Sequence, residues 1–313
     1  MILQSERSEF TEAMDGRQKR ELIRILEEEA HFDFPMGSYT TFRAGGKAEA
    51  LCAAKDLPEL KALLSFALRE GLPYVVVGKG SNILVKDSGL KGIALLLKGE
   101  LEGAEQTEGG VHAGGGLGLS ELVGFCRRQG LAGLEFLAGI PGTVGGAVAM
   151  NAGAWGESTG NVVSSIEVIT ARGEEIVKKK EELGFGYRKT ALPVGSVVVK
   201  ALFRVTRDLP EAVGVRIRGY LDKRNASQPL DYPSAGSVFK NPPHDFAGRL
   251  LEMAGMKGKR IGAAMISEKH ANVIVNLGGA RAQDILALME MARQKVKEHA
   301  GVDLESEITV VGD

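Results

Sequence analysis

The sequence predicts an α+β protein of two or three domains, and three observations carry that expectation. The chain has 313 residues, against the roughly 150 of a common domain. Segments with helical spacing of apolar residues are separated by short runs rich in β-branched residues, with no internal repeat. Glycine is also in excess: 42 residues, close to twice the usage of about 7% in average proteins. With no collagen period, that excess predicts many turns with positive φ and places where backbone comes very close to something.

The elements follow in chain order. Residues 1 to about 15 read as a polar tail. Leu22, Ile25 and Leu26 give Gln18–Ala30 a helical face. A second helix begins after Asp56, a capping residue, with Pro58 in its first turn; Leu60, Leu64 and Leu68 are expected on one face and Gly71 ends it. Strands are predicted at Tyr74–Val77, Ile83–Val85 and Ile93–Leu97. A helix at Ser120–Arg128 stops at Gly130, and Val162–Thr170 and Ser196–Val205 are the strongest strand patterns. Pro210 opens a helix to about Arg224. Four prolines make Asn225–Pro243 an irregular connection. Beyond it come a short helix at Phe246–Ala254, a strand at Ala271–Asn276, a long helix at Ala282–His299 and a last strand at Glu307–Val311. In the long helix Ile285, Leu288, Met289, Ala292 and Val296 form one face.

Composition excludes several classes. Basic and acidic side chains number 39 and 40, for a net charge of −1, with 44% hydrophobic and 25% charged residues. That is a foldable globular composition without the basic excess of a nucleic-acid binder. Aromatics at 5% give no support to a stacking surface. Cys52 and Cys126 are too few for a disulfide framework and read as partly buried thiols in a reducing compartment. The polar start lacks a signal-peptide core, and no apolar run approaches the roughly 20 residues of a membrane span. A cytoplasmic protein without membrane insertion is expected. No Asp, Glu, His or Cys cluster has ligand spacing, so no metal is expected.

Two loops concentrate the glycines. Gly78-Lys79-Gly80-Ser81-Asn82 follows a strand, and its backbone N–H groups can turn toward an anion. It lacks the third glycine of a dinucleotide fingerprint and the GKS or GKT of a Walker loop, so a tight hairpin and a phosphate cradle are both open readings. The second loop, Gly139 to Gly156, is built almost entirely of small residues, which favours close backbone approach to a large flat or phosphorylated ligand.

With these loops, further segments form an ordered set: Thr40 to Gly46, Tyr187-Arg188, Ser234 to Pro242, Ser267 to Asn272, and Glu307. Over about 270 residues the set resembles the UDP-N-acetylenolpyruvoylglucosamine reductase (MurB) family of peptidoglycan precursor enzymes. The resemblance implies a two-subdomain FAD-binding fold of the PCMH or vanillyl-alcohol-oxidase-like type, plus a C-terminal α+β substrate domain. The corresponding division is a tail at 1–20, FAD-binding subdomains at 21–99 and 100–220, and a substrate domain at 221–313. Non-covalent FAD is implied, because the first loop has no histidine or cysteine for a covalent link. Gly78, Gly80, Ser81 and Asn82 would hold the pyrophosphate, with Lys79 in the same loop. Arg43, Gly139, Ile140, Pro141, Gly142, Thr143, Gly145, Gly146, Asn151 and Gly153 would serve the rest of the cofactor. The chain is similar to the family's shorter form. Ser306 and Val238 depart from common family choices without removing a functional group.

The implied reaction takes hydride from NADPH to the flavin and then to C3 of UDP-N-acetylglucosamine enolpyruvate, giving UDP-N-acetylmuramate. Charge then grows on C2 and its carboxylate, which calls for cationic and hydrogen-bonding groups aimed there and an acid near C2. By family correspondence Arg188 is the cation, Glu307 the second stabiliser and Ser237 the proton donor. Glu305 competes with Glu307 for its place. His270 reads as an ordinary hydrogen-bonded histidine. Tyr187, Arg224, Lys240 and Asn241 are candidate substrate contacts, and a monomer is expected. A flavin-dependent oxidase and a non-enzymatic nucleotide-binding module are the rival readings.

Overall fold

The computed structural model describes residues 13–312; most of the expected N-terminal tail lies outside the described residues. The chain forms two compact units. The first takes 49–79 and 91–222 along with the N-terminal segment to Asp33. The second takes 34–48, 80–90 and 223–313. The segments 34–48 and 80–90 join the second unit from far away in sequence.

The first unit is organised on two sheets. One has the strand order Ala30–Pro35, Lys47–Ala54, Leu90–Leu97, Tyr74–Val76. The other is five-stranded, in the order Glu175–Lys179, Val163–Ile169, Val197–Phe203, Gly110–Gly114, Ala104–Thr107. Every neighbouring pair in the five-stranded sheet is antiparallel. The helices Gly16–Leu26 and Leu57–Glu70 pack on the first sheet through Leu22, Leu26, Leu60, Leu63, Leu64 and Phe66. The helix Leu119–Arg128 contributes Leu122, Val123 and Cys126 to the core of the second.

Local chemistry explains the helix ends. Asp15 accepts from Gln18 N–H, with Gln18 bonding back to Asp15 N–H, a capping box that starts the first helix at Gly16. That helix ends at Leu26. The expected continuation to Ala30 is instead a turn of 3₁₀ helix and the start of a strand, entered through Glu27 at φ 51°. Asp56 caps the next helix at Glu59 N–H, and Gly71 at φ 65° closes it, both as expected. Leu68, however, is 58% exposed. A residue eight positions beyond Leu60 has rotated some 80° off its face in a helix of 3.6 residues per turn; Leu63 and Ala67 fill the core instead.

The second unit packs a long helix, Ala282–Ala300, on a three-stranded antiparallel sheet of Arg260–Ile261, Ala264–Ile266 and Ile274–Asn276. All five expected apolar positions of this helix are buried. Its first backbone N–H groups, Ala282 and Gln283, donate to the two carboxylate oxygens of Asp87, 2.9 Å each, so residues 80–90 are anchored where the helix N-terminus favours negative charge. Strand Thr309–Val311 runs parallel to Ile83–Val85. The expected strands at 271 and 307 start later, because Ala271 to Val273 and Glu305 to Glu307 pair instead with the irregular segment Ser237 to Lys240. Cys52 and Cys126 are both buried and unpaired. Among the described residues no helix is long and apolar enough to cross a membrane.

Candidate functional site

In the first unit the two glycine loops meet. A Cβ on Gly78 would sit 2.7 Å from Thr143 Oγ1. Thr143 caps the short helix Val144–Ala149 through Gly146 N–H, an element not anticipated in the second loop. A third glycine run, Gly114-Gly115-Gly116 with Gly118, completes this packing and was equally unanticipated. Gly115 C=O accepts from Gly145 N–H at 2.8 Å, and Leu119 N–H donates to Gly142 C=O. A Cβ on Gly115 would overlap the Val198 carbonyl, and one on Gly116 the Leu97 carbonyl. Much of the glycine excess therefore serves close approach of the backbone to itself. Gly45 against the Val85 carbonyl and Gly153 against that of Glu157 behave alike. Lys79 is exposed, and its Cε would lie 3.4 Å from a Cβ on Gly118.

Arg188 and Tyr187 occupy the tip of a tight turn in which Gly186 and Lys189 exchange backbone hydrogen bonds. Arg188 takes φ 54°, a conformation uncommon outside glycine and asparagine. Asn151 holds this turn. Its Nδ2 donates to Gly186 C=O and its Oδ1 accepts from Gly160 N–H, both at 2.8 Å, and it is 8% exposed. An expected cofactor residue thus commits its amide to placing Arg188. The Arg188 guanidinium donates to Gly153 C=O at 3.2 Å and lies 5.4 Å from the Tyr187 ring centre.

In the second unit the first glycine loop ends against Thr41, whose N–H donates to Gly80 C=O at 3.1 Å. Asn276, 2% exposed, donates through Nδ2 to the carbonyls of Phe42 and Arg43. It thereby fixes the backbone of Arg43, an exposed residue at φ 50°. Asn82 Nδ2 donates to Glu307 C=O at 3.1 Å and Asn82 C=O accepts from Thr309 N–H. Glu307 N–H in turn donates to Val238 C=O at 2.8 Å. One chain of contacts therefore joins Asn82, Glu307 and the segment carrying Ser237.

Glu305 and Glu307 differ. Glu305 pairs with Lys240 at 3.2 Å and its side chain is 77% exposed, whereas Glu307 is half-buried beside Val238. Asn241 Oδ1 accepts from Ala247 N–H at the start of helix Ala247–Met253. Arg224 lies in the last turn of the helix Pro210–Ser227, half-buried, and burial lowers its guanidinium pKa. His270 accepts from Asn272 N–H at Nδ1, 3.2 Å, so the neutral ring carries its proton on Nε2; burial lowers its pKa. A cleft of about 550 Å³ between Gln106–Gly110, Leu131–Gly133 and Arg204–Arg207 contains none of these residues. Among the described residues no group of three or more His, Cys, Asp or Glu is placed to hold a metal.

Within the second unit, segments 39–46 and 80–83 supply Arg43, the hydroxyls of Thr41 and Ser81 and the Asn82 amide, with no carboxylate among them. That donor set suits the diphosphate of FAD. Residues 48–178 match an FAD-binding domain family; this is an FAD-dependent oxidoreductase with an α+β fold of the PCMH type. Residues 228–311 match the C-terminal domain of UDP-N-acetylenolpyruvoylglucosamine reductase. The reductase numbered 2 of Symbiobacterium thermophilum is 45% identical over 89% of this chain and 91% of its own. That of Geotalea uraniireducens is 41% identical over 93% and 97%. The crystal structure of the enzyme from Thermus caldophilus is similar with a TM-score of 0.79 and 39% identity, covering 91% of this chain and 98% of that one. The chain belongs to the UDP-N-acetylenolpyruvoylglucosamine reductase (MurB) family.

Proposed function

We propose that this protein reduces UDP-N-acetylglucosamine enolpyruvate to UDP-N-acetylmuramate with NADPH as the hydride source, in the cytoplasm, for peptidoglycan synthesis and so for cell shape and division. FAD, when bound, supplies hydride to C3 of the enolpyruvyl group. The protein's own residues then have two tasks. Arg188, held at the tip of its turn by Asn151, offers a permanent cation to the carboxylate as charge builds on it. Ser237 delivers a proton to C2, and Glu307, on the neighbouring extended segment, orients and stabilises that end of the substrate through its proton or a water. Gly78, Gly80, Ser81 and Asn82 hold the cofactor diphosphate, and Arg43 serves the rest of the cofactor. Arg224 is the strongest candidate for the substrate diphosphate, since Lys240 is engaged by Glu305 and Asn241 by a helix start.

The observation that supports this reading best is the lacing of Ser237's segment to Glu307 and of Glu307 to Asn82. These bonds run within the second unit and link the segment of the candidate proton donor, through Glu307, to Asn82. The test is direct. NADPH oxidation by the yellow holoenzyme is expected to depend on the enolpyruvyl nucleotide. Rapid substrate-independent consumption of NADPH with peroxide release would instead identify an oxidase.

A further inference from the structure

The segment Ser267 to Asn272 is part of the family resemblance, yet the reaction above assigns it no task. Its last residue, Asn272, is 3% exposed and bonds the backbone of Phe239 twice. Asn272 Oδ1 accepts from Phe239 N–H at 3.0 Å and Asn272 Nδ2 donates to Phe239 C=O at 2.8 Å. Asn272 C=O also accepts from Val238 N–H at 2.9 Å.

These bonds describe an irregularity. In a regular strand successive N–H groups point to opposite sides, but Val238 and Phe239 both donate to Asn272, one to its main chain and one to its side chain. The alternation of side chains is reset at this point, as at a β-bulge. Val238 and Phe239 are consecutive and both buried, at 1% and 3%, while Ser237 and Lys240 on either side of them are half-exposed. In an unbroken strand Ser237 would share the buried face of Phe239. The Asn272 amide takes the place that a neighbouring strand would fill, and the partner bonds on the far side, Glu307 N–H to Val238 C=O and Lys240 N–H to Glu305 C=O, stay regular.

We infer that Asn272 is a positioning residue for the Ser237 hydroxyl: its paired bonds to Phe239 hold the bulge that turns Ser237 out of the core. The inference rests on Ser237 being the proton donor. It acts on the step that reoxidises the flavin and not on the step in which NADPH reduces it.

The experiment uses the FAD-loaded enzyme with Asn272→Ala, Ser237→Ala and the double variant, and follows each half-reaction by rapid mixing. Asn272→Ala is expected to leave flavin reduction by NADPH near the parent rate. Reoxidation by the enolpyruvyl nucleotide should slow roughly 10- to 100-fold, the scale of an ångström-sized misplacement of a reacting group, with a larger D2O effect on that step. In the Ser237→Ala background the same change should cost little further, since residues acting through one another are not additive. Equal loss in both backgrounds, or equal loss in both half-reactions, overturns the inference. Normal reoxidation in Asn272→Ala overturns it alone, leaving Ser237 as donor. Normal reoxidation in Ser237→Ala removes the donor assignment and the inference together. Should Asn272→Ala fail to fold, the isosteric Asn272→Asp keeps the Phe239 N–H bond but sets an oxygen against the Phe239 carbonyl, and the same selective loss is expected.

Discussion

Replacing Asn151 tests whether the turn carrying Arg188 is held by one buried amide. Asn151→Ala strands the Gly186 carbonyl and the Gly160 N–H, each bonded at 2.8 Å to an amide only 8% exposed. A buried polar group left without a partner costs about 1–3 kcal/mol, so the two together cost roughly 2–6 kcal/mol. Asn151 also sits at φ 42°, where alanine adds about 1 kcal/mol. At roughly 2–3 °C per kcal/mol for a chain of this size, the total of about 3–7 kcal/mol should lower the melting temperature by roughly 6–21 °C. Asn151→Asp keeps the acceptor for Gly160 and the tolerance of positive φ, but loses the bond to Gly186 and sets an oxygen against that carbonyl, so a loss of about 1–3 kcal/mol is expected. Calorimetry of the holoenzyme measures both. Rapid mixing should show flavin reoxidation at least tenfold slower in Asn151→Ala, on the order expected when a charge-stabilising group is misplaced. An unchanged melting temperature and unchanged reoxidation would refute the idea that this amide organises the turn.

Further outcomes are expected. Gly45→Ala meets the Val85 carbonyl at φ 108°, and it should yield little soluble protein, read by expression and circular dichroism. Burial pushes the thiols of Cys52 and Cys126 up to about 12 from 9.0. The folded state therefore keeps protons that the unfolded chain loses, so stability is full below pH 9 and erodes as pH rises from 9 toward 12; thiol titration should stay slow until the protein unfolds. Arg17 holds the Glu70 carboxyl down at about 2 from 4.5. This contribution is complete above pH 4.5 and is lost as pH falls through about 2, and Glu70→Gln should raise hydrogen exchange in the first helix selectively.

The long helix shows how much the sequence alone carries. Its apolar positions recur at the helical period and its end is marked by Gly301 at φ 68°, so local pattern and tertiary burial agree. The second helix shows the limit, because Leu68 fits an i+4 spacing yet faces solvent. The strands at 47–54 and 110–114 escaped notice: the first is almost wholly buried and lacks alternation, and the second is mostly glycine and alanine. The site divides in the same way. Arg188, Ser237, Glu307 and the two glycine loops were identifiable as motifs in order along the chain. What holds them in place was not: Asn151 was expected at the cofactor, Asn272 belonged to a motif without a stated task, and nothing local marked Asn276, whereas all three spend their amides on distant backbone.

By itself the sequence determined the class of fold, the family and which side chains are proposed for charge and proton chemistry, because these depend on residue identity and on spacing along the chain. Only the tertiary structure decided what many of the glycines are for and what holds the segments of the candidate site in place. A glycine that avoids the Val198 carbonyl and an amide that replaces a missing strand beside Phe239 both answer to partners 33 or more positions away. Hydrogen bonding and steric exclusion act through space, so no local pattern records them.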